Sequence, residues 1–276
     1  MEVVWMVSMT NTGILMNHNQ TQRNLALTMM QLSSGDRIFR AGQDAAGLAI
    51  SEGMRSQIRG DSMAIRNMAD SQSLARVAEG ALAQTQSSLH RMRELAVQAN
   101  NGMLTASDRG ALQQEFNQLR EHIDFVGQNT EFNTQRLLDG SFTDRQTTTN
   151  ANGDTVSFDI DAALSENLGS LEEGVTLRDL DLAANPAQAL SVIDDALAQI
   201  SSSRGSIGAF DNRLSYAGNV AQNQLLNMQR SESGIRDADM ALNIMDMNRM
   251  TTMLQASMSV QSMQMGMMGM HLDLLR

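Results

Sequence analysis

The residues best equipped for chemistry crowd the C-terminal end, in Met263-Gln-Met265-Gly-Met-Met268-Gly-Met270-His271. Thioethers and imidazole are soft donors that suit Cu(I). On a helix, Met263, Met267, Met270 and His271 fall on one stripe. The competing reading is that methionine, unbranched and polarizable, fills helix–helix contacts. The N-terminal end is also Met-rich but holds no Met-x-Met pair, which favours packing. Asp194-Asp195 and Glu172-Glu173 are adjacent carboxylates, but each pair lies beside solvent-facing sequence. An acid/base pair needs two carboxyls in unlike environments, so these read as surface charge. The four histidines, His18, His90, His122 and His271, match no metal spacing. Without cysteine there is neither a thiolate site nor a disulfide framework. No GxSxG, HExxH, phosphate-binding loop or GxGxxG is present. No catalytic residue, metal or cofactor is expected.

Composition narrows the class further. The net charge of −11 argues against nucleic acid, which needs a basic face. All 20 basic residues are Arg, which excludes lysine modification and Schiff-base chemistry. No run of 18 apolar residues exists to span a membrane. Residues 1–9 lack the basic start and apolar length of a cleaved secretory signal, so export by that route is not expected. Aromatics are 3 % of the 276 residues and Pro186 is the one proline, which suits long helices side by side. Of 23 methionines, 18 lie in residues 1–30 or 228–276, so the two ends should share one environment.

The elements that would position these groups are mainly helical. Ser33-Ser34-Gly35 breaks a first helix, an irregular stretch covers Arg37 to Gln43, and Asp44 caps the next through Ala45, Ala46 and Leu48. That helix is expected over 44–100, with Leu74, Ala78, Ala81, Thr85, Ser88, Met92, Leu95 and Ala99 as a coiled-coil seam. Arg93 and Glu94 read as solvated charges beside it. Asn100-Asn101-Gly102 stops it. Ser107-Asp108 is expected to cap a helix to about Gln128, with Leu112, Leu119, Ile123 and Val126 on its apolar side. Residues 129–182 turn Gly-, Asp- and Thr-rich, and 155–160 alternate like a strand. From Pro186 a seam runs Leu190, Ile193, Leu197, Ile200, Arg204, Ile207, Asp211, Leu214, Gly218, Ala221, Leu225 and Met228, with a break expected at Gly234. Such a helix is ~70 Å long and needs a partner of similar length, which the 44–100 helix provides. The fold class is therefore mainly α: an antiparallel helical rod, a terminal helix pair and a small β-containing insert. The expected domains are 1–31 with 236–276 (terminal pair), 32–128 with 183–235 (rod), and 129–182 (insert).

Residues 32–60, LSSGDRIFRAGQDAAGLAISEGMRSQIRG, resemble the signature of bacterial flagellin. The resemblance recurs at 79–98, 128–141, 235–241 (IRDADMA), 254–257 (LQAS) and 274–276 (LLR). It implies a short filament subunit lacking large outer domains, secreted unfolded through the flagellar channel and located in the extracellular flagellum. It implies a homopolymer, assembled under the flagellar cap, with hook-junction proteins and an export chaperone as partners. No nucleic acid or membrane partner and no enzymatic activity are implied. Subunit contacts are expected at Leu32, Arg37, Asp44, Ala45, Ala46, Leu48, Ile50, Leu254, Leu274 and Leu275. The family is also recognised by an innate immune receptor of animals, and its Arg-x-Arg-Glu-Leu motif with a following-helix Glu maps onto Arg91, Leu95 and Glu115. Two departures stand out. Residues 1–16 look foreign to the family's opening, with Asn17-His18-Asn19 its nearest echo. Met and Gly at 263–270 replace the usual Gln/Ala/Asn-rich stretch before LLR. The alternatives are a hook–filament junction protein, and a Met-rich Cu(I)-binding variant on a flagellin scaffold.

Overall fold

The computed structural model describes residues 2–170, 174–182 and 184–273. Among these, five long helices dominate: α1 (Glu2–Ser34), α2 (Ala45–Ala99), α3 (Ala106–Asn129), α4 (Pro186–Arg236) and α5 (Met240–Asp273). The mainly α class is as the periodicity indicates. The chain divides into two compact units, Met1–Ser56 with Asn227–Arg276, and Gln57–Leu226.

In the Gln57–Leu226 unit, α2 and α4 run antiparallel. Gln72 Nε2 donates to Ser215 Oγ at 2.8 Å, and Arg93 Nε to Asp194 Oδ1 at 2.6 Å, so positions rise on one helix as they fall on the other. The α3 helix packs antiparallel to α2 through Arg91 and Glu115 at 2.8 Å and through Gln84 and His122 at 3.4 Å. Two partners require a wider apolar face than one. The expected α2 seam is buried or half-buried, but a further row, Ala75, Leu82, Leu89 and Ala96, is fully buried beside it. Three positions per heptad is the pattern of a helix inside a bundle rather than a two-stranded coil.

On α4 the expected seam is half right. Ile193, Ile200, Ile207, Leu214 and Ala221 are buried, but the second inner row is Ala189, Ala196, Ser203 and Phe210. Leu190, Leu197, Arg204 and Asp211 sit one step round, half-buried at the flank. There Arg204 pairs with Gln86 and Glu79 without entering the core. The α3 start also differs from expectation. Thr105 is the N-cap and Asp108 its capping-box partner, because the Thr105 hydroxyl accepts from Asp108 N–H while the Asp108 carboxylate accepts from Thr105 N–H at 3.0 Å. Gly234 does not break α4, which continues to Arg236.

The segment after α3 forms three two-stranded antiparallel ribbons: β1 (Glu131–Phe132) with β2 (Gln135–Arg136), β3 (Arg145–Thr148) with β4 (Thr155–Phe158), and β5 (Gly169–Ser170) with β6 (Val175–Thr176). The first turns on Asn133 and Thr134, both at positive φ (51° and 65°), the backbone of a tight type I′ hairpin. The ribbons lie against the helices. Phe158 stacks on Phe210 with centroids 4.0 Å apart, Ser71 Oγ meets Thr147 Oγ1 at 2.7 Å, and Ala151 N–H reaches the buried Asp61 carboxylate at 2.8 Å. Position 60 suits glycine because Ala151 occupies the adjoining space, 2.6 Å from where a Cβ would stand.

Candidate functional site

The other unit centres on the connection between α1 and α2. Gly35 ends α1 at φ 76°, a left-handed turn that glycine adopts without strain. Past it, Asp36 makes an antiparallel bridge with Asp237. Arg37 N–H donates to Arg236 C=O at 2.6 Å, and Ala238 N–H to Gly35 C=O at 2.9 Å. The Arg37 guanidinium donates to Ile235 C=O at 2.6 and 3.2 Å. Two of the segments that resemble the family, 32–60 and 235–241, are therefore bound to each other through main-chain groups.

The rest of the elbow is fixed locally. Gln43 Oε1 accepts from Phe39 N–H at 3.1 Å, and Gln31 Nε2 donates to Arg37 C=O at 3.0 Å. Asp44 Oδ1 accepts from Gly47 N–H at 2.8 Å, the N-cap bond expected from the sequence. A Cβ on Gly47 would stand 2.4 Å from Asp44 Oδ2 and 2.9 Å from Ile38 Cδ1, so any side chain here requires the Asp44 cap or the buried Ile38 to shift. Asp239 Oδ1 accepts from Ala241 and Leu242 N–H, both at 3.0 Å, and starts α5.

Charge reinforces this joint. Arg236 donates to Glu52 at 2.7 Å and lies 3.2 Å from Asp36, while Arg55 sits 3.2 Å from Glu232 and 3.6 Å from Glu52. The hydrogen bond from Arg236 is the main reason the Glu52 carboxyl lies below its ordinary 4.5, with the nearby Arg55 adding to it. The Arg236 guanidinium is correspondingly held more firmly protonated, chiefly by Glu52.

The α1 and α5 helices pair antiparallel, with His18 Nδ1 at 3.1 Å from Ser257 Oγ and the Thr28 hydroxyl on Met250 Sδ at 3.9 Å. Much of their apolar surface faces outward: Leu15, Met16, Leu27, Met29, Leu242, Ile244 and Met245 are exposed.

The expected contact residues divide between these features. Leu32, Leu48 and Leu254 are half-buried, Asp44 is the cap, Arg37 holds the Ile235 carbonyl, and Ala45, Ala46 and Ile50 are exposed. Leu274 and Leu275 lie outside the described residues. Arg91 and Glu115 form a surface ion pair that Glu94 joins at 2.9 Å. Leu95 differs: it is 1 % exposed, inside the α2 face, so its place in that patch is beneath the surface. Met263, Met265, Met267 and Met270 are exposed, and the side chains of Met268 and His271 lie outside the described residues. Of the adjacent carboxylates, Asp194 is engaged by Arg93, while Glu172 and Glu173 lie outside the described residues. Sequence reading misses Arg236, Glu52, Arg55 and Glu232. Their alternating charge is visible, but their joining depends on bringing the two ends of the chain together.

No group of three His, Asp or Glu among the described residues could hold a metal, and no described helix is long and apolar enough to cross a membrane. Family models for the bacterial flagellin N-terminal helical region and C-terminal helical region match residues 8–143 and 190–275. The chain belongs to the flagellin family. It is 42 % identical to a flagellin of Halalkalibacterium halodurans over 91 % of this chain and 89 % of that one. It is 38 % identical to a flagellin of Bacillus subtilis over 88 % and 89 %. A putative flagellar hook-associated protein of Vibrio parahaemolyticus has the same fold (TM-score 0.57, 16 % identity, 71 % of this chain and 100 % of that one). This flagellin is a structural subunit of the flagellar filament, not an enzyme, and it is a short form without a large outer domain. Neither the junction-protein alternative nor the Cu(I) one gains support from these relatives.

Proposed function

We propose that this flagellin is exported unfolded and polymerises outside the cell into a hollow flagellar filament for motility, meeting an export chaperone, the cap and the hook-junction proteins on the way. The observation that carries the reading is the α1–α5 pair, whose Leu, Ile and Met stand exposed among the described residues. A two-helix pair buries little, and further copies supply the missing surface. Head-to-tail contacts with a non-closing rotation give open helical polymers. Residues 1–31 with 236–276 form the inner layer in this scheme, 32–128 with 183–235 the rod, and 129–182 its insert. The elbow residues Leu32, Arg37, Asp44, Ala45, Ala46, Leu48 and Ile50, with Leu254, Leu274 and Leu275, lie at subunit contacts. Seeded polymerisation followed by negative-stain electron microscopy tests this. The full chain should give long filaments and a chain lacking 236–276 none, and filaments from the truncated chain would overturn the layered scheme.

A second surface supports recognition by an animal innate immune receptor. Arg91 and Glu115, bridged on the outside of α2 and α3 with Leu95 beneath, present a fixed pattern of charge. Receptor-reporter activation by the Arg91→Ala chain tests it.

A further inference from the structure

The methionines of this chain range from fully buried to almost fully exposed. Met68 and Met92 are buried in the α2 core at 2 % and 0 % exposure. Met16 and Met29 on α1, and Met245, Met253, Met258 and Met263 on α5, are all more than half exposed. Cysteine is absent, and Trp and Tyr occur once each, so thioether sulfur is the main target this chain offers to a mild oxidant. Oxidation to the sulfoxide turns a flexible apolar side chain into a polar, chiral one and disrupts Met-rich contacts.

We propose that the exposed methionines of α1 and α5 form a peroxide-sensitive modification site whose oxidation state decides whether the subunit can polymerise. The assembly part rests on the filament reading above. In the reaction a thioether sulfur attacks one peroxide oxygen. The O–O bond breaks, an S–O bond forms, sulfur is oxidised by two electrons, and the second oxygen leaves as water. A thiol-dependent methionine sulfoxide reductase reverses the step. The sulfoxide oxygens would then stand on the face that neighbouring copies must cover, where burying an unpaired acceptor is unfavourable.

The test treats purified full-length monomer with dilute hydrogen peroxide, maps the sulfoxide products by peptide mass spectrometry, and follows seeded growth. The α1 and α5 set should oxidise at least tenfold faster than Met68 and Met92. The treated chain should need at least tenfold more protein to grow, and reductase treatment should restore it. A variant with leucine at every exposed methionine of α1 and α5 should polymerise before and after peroxide. Met103, 90 % exposed in the connection between α2 and α3, is the control: it oxidises too, but Met103→Leu should protect nothing. Normal growth of fully sulfoxidised chain would overturn the proposal. If untreated chain forms no filaments, the filament reading fails separately. The mass map then decides alone, and equal oxidation of Met68 and Met92 overturns the site.

Discussion

The Arg37 guanidinium donates two hydrogen bonds to the carbonyl of Ile235, 198 positions further along the chain. Arg37→Ala removes both and leaves that carbonyl to water. A charged donor on a buried group is worth more, but on this exposed carbonyl solvent competition leaves roughly 1 kcal/mol. Faster amide exchange at Arg37 and Ala238 and slower seeded growth are expected. Arg37→Lys should rescue only part of both, since an ammonium lacks the guanidinium fork.

Gly47→Ala places a methyl against the Asp44 carboxylate and Ile38. Either the cap bond or the Ile38 packing must yield, at a cost of about 1–2 kcal/mol. Thermal unfolding followed by circular dichroism should show a lower midpoint, while Gly53→Ala, with open space around it, should not.

The pH response follows from the carboxyls of Glu52, Asp108 and Asp139, all lowered from their ordinary values. The causes are, in order, the hydrogen bond from Arg236, those from Thr105, and those from Ser141. A carboxyl lowered by folding stabilises the folded state above its unfolded value, and that contribution is lost as pH falls through the folded one. Stability should therefore be flat near neutrality and fall below about pH 4 to 4.5, within the ordinary carboxylate range. Glu52→Gln should flatten the acid response of amide exchange around Arg236 and leave that around α3 unchanged.

Phe210→Ala deletes the ring on which Phe158 stacks, with both partners buried. Losing a buried phenyl costs about 3–5 kcal/mol. Limited proteolysis should then cut between β3 and β4 much faster than in the parent chain. Ser71→Ala, which removes one hydrogen bond to Thr147, should change that rate far less.

Arg91→Ala tests the proposed recognition surface apart from the architecture. Its ion pairs with Glu115 and Glu94 are solvent-exposed, where such pairs add little to stability. Filaments should form normally, while receptor-reporter activation should drop at least tenfold. A matching loss in Glu115→Ala would assign the effect to the bridged pair.

Local signals in the sequence carry the helices well. Asp44 is legible as a cap because its hydrogen bond goes to a backbone group three residues away. Ser107 competes with Thr105 as the start of α3 because both can cap, and only the reciprocal bond with Asp108 distinguishes them. Periodicity misplaces the second inner row of α4 by one position because the apolar pair Leu190 and Leu197 carries the seven-residue step onto Arg204 and Asp211, although Phe210 is the more apolar neighbour of Asp211. What draws Phe210 inward is Phe158, and Ser203 likewise meets Asp161 at 2.8 Å. Both partners come from the 129–182 insert, whose short strand alternation marks Phe158 as inward-facing but does not say which helix it meets. The elbow is visible as an interruption, but its bonds to 235–238 are not, since nothing local to either segment encodes the other.

The bridge between Asp36 and Asp237 also constrains the order in which the chain can fold. Joining two points about 200 residues apart in a flexible chain costs about 5 kcal/mol in loop-closure entropy. A few main-chain hydrogen bonds, each worth about 1 kcal/mol net, do not offset that from an unfolded start. Once α2 and α4 have paired, most of that loop is already closed, and the remaining closure spans only short tethers on either side. The elbow is therefore expected to close after α2 and α4 pair, and pulsed hydrogen exchange during refolding should protect Leu82 and Leu89 before Arg37 and Ala238.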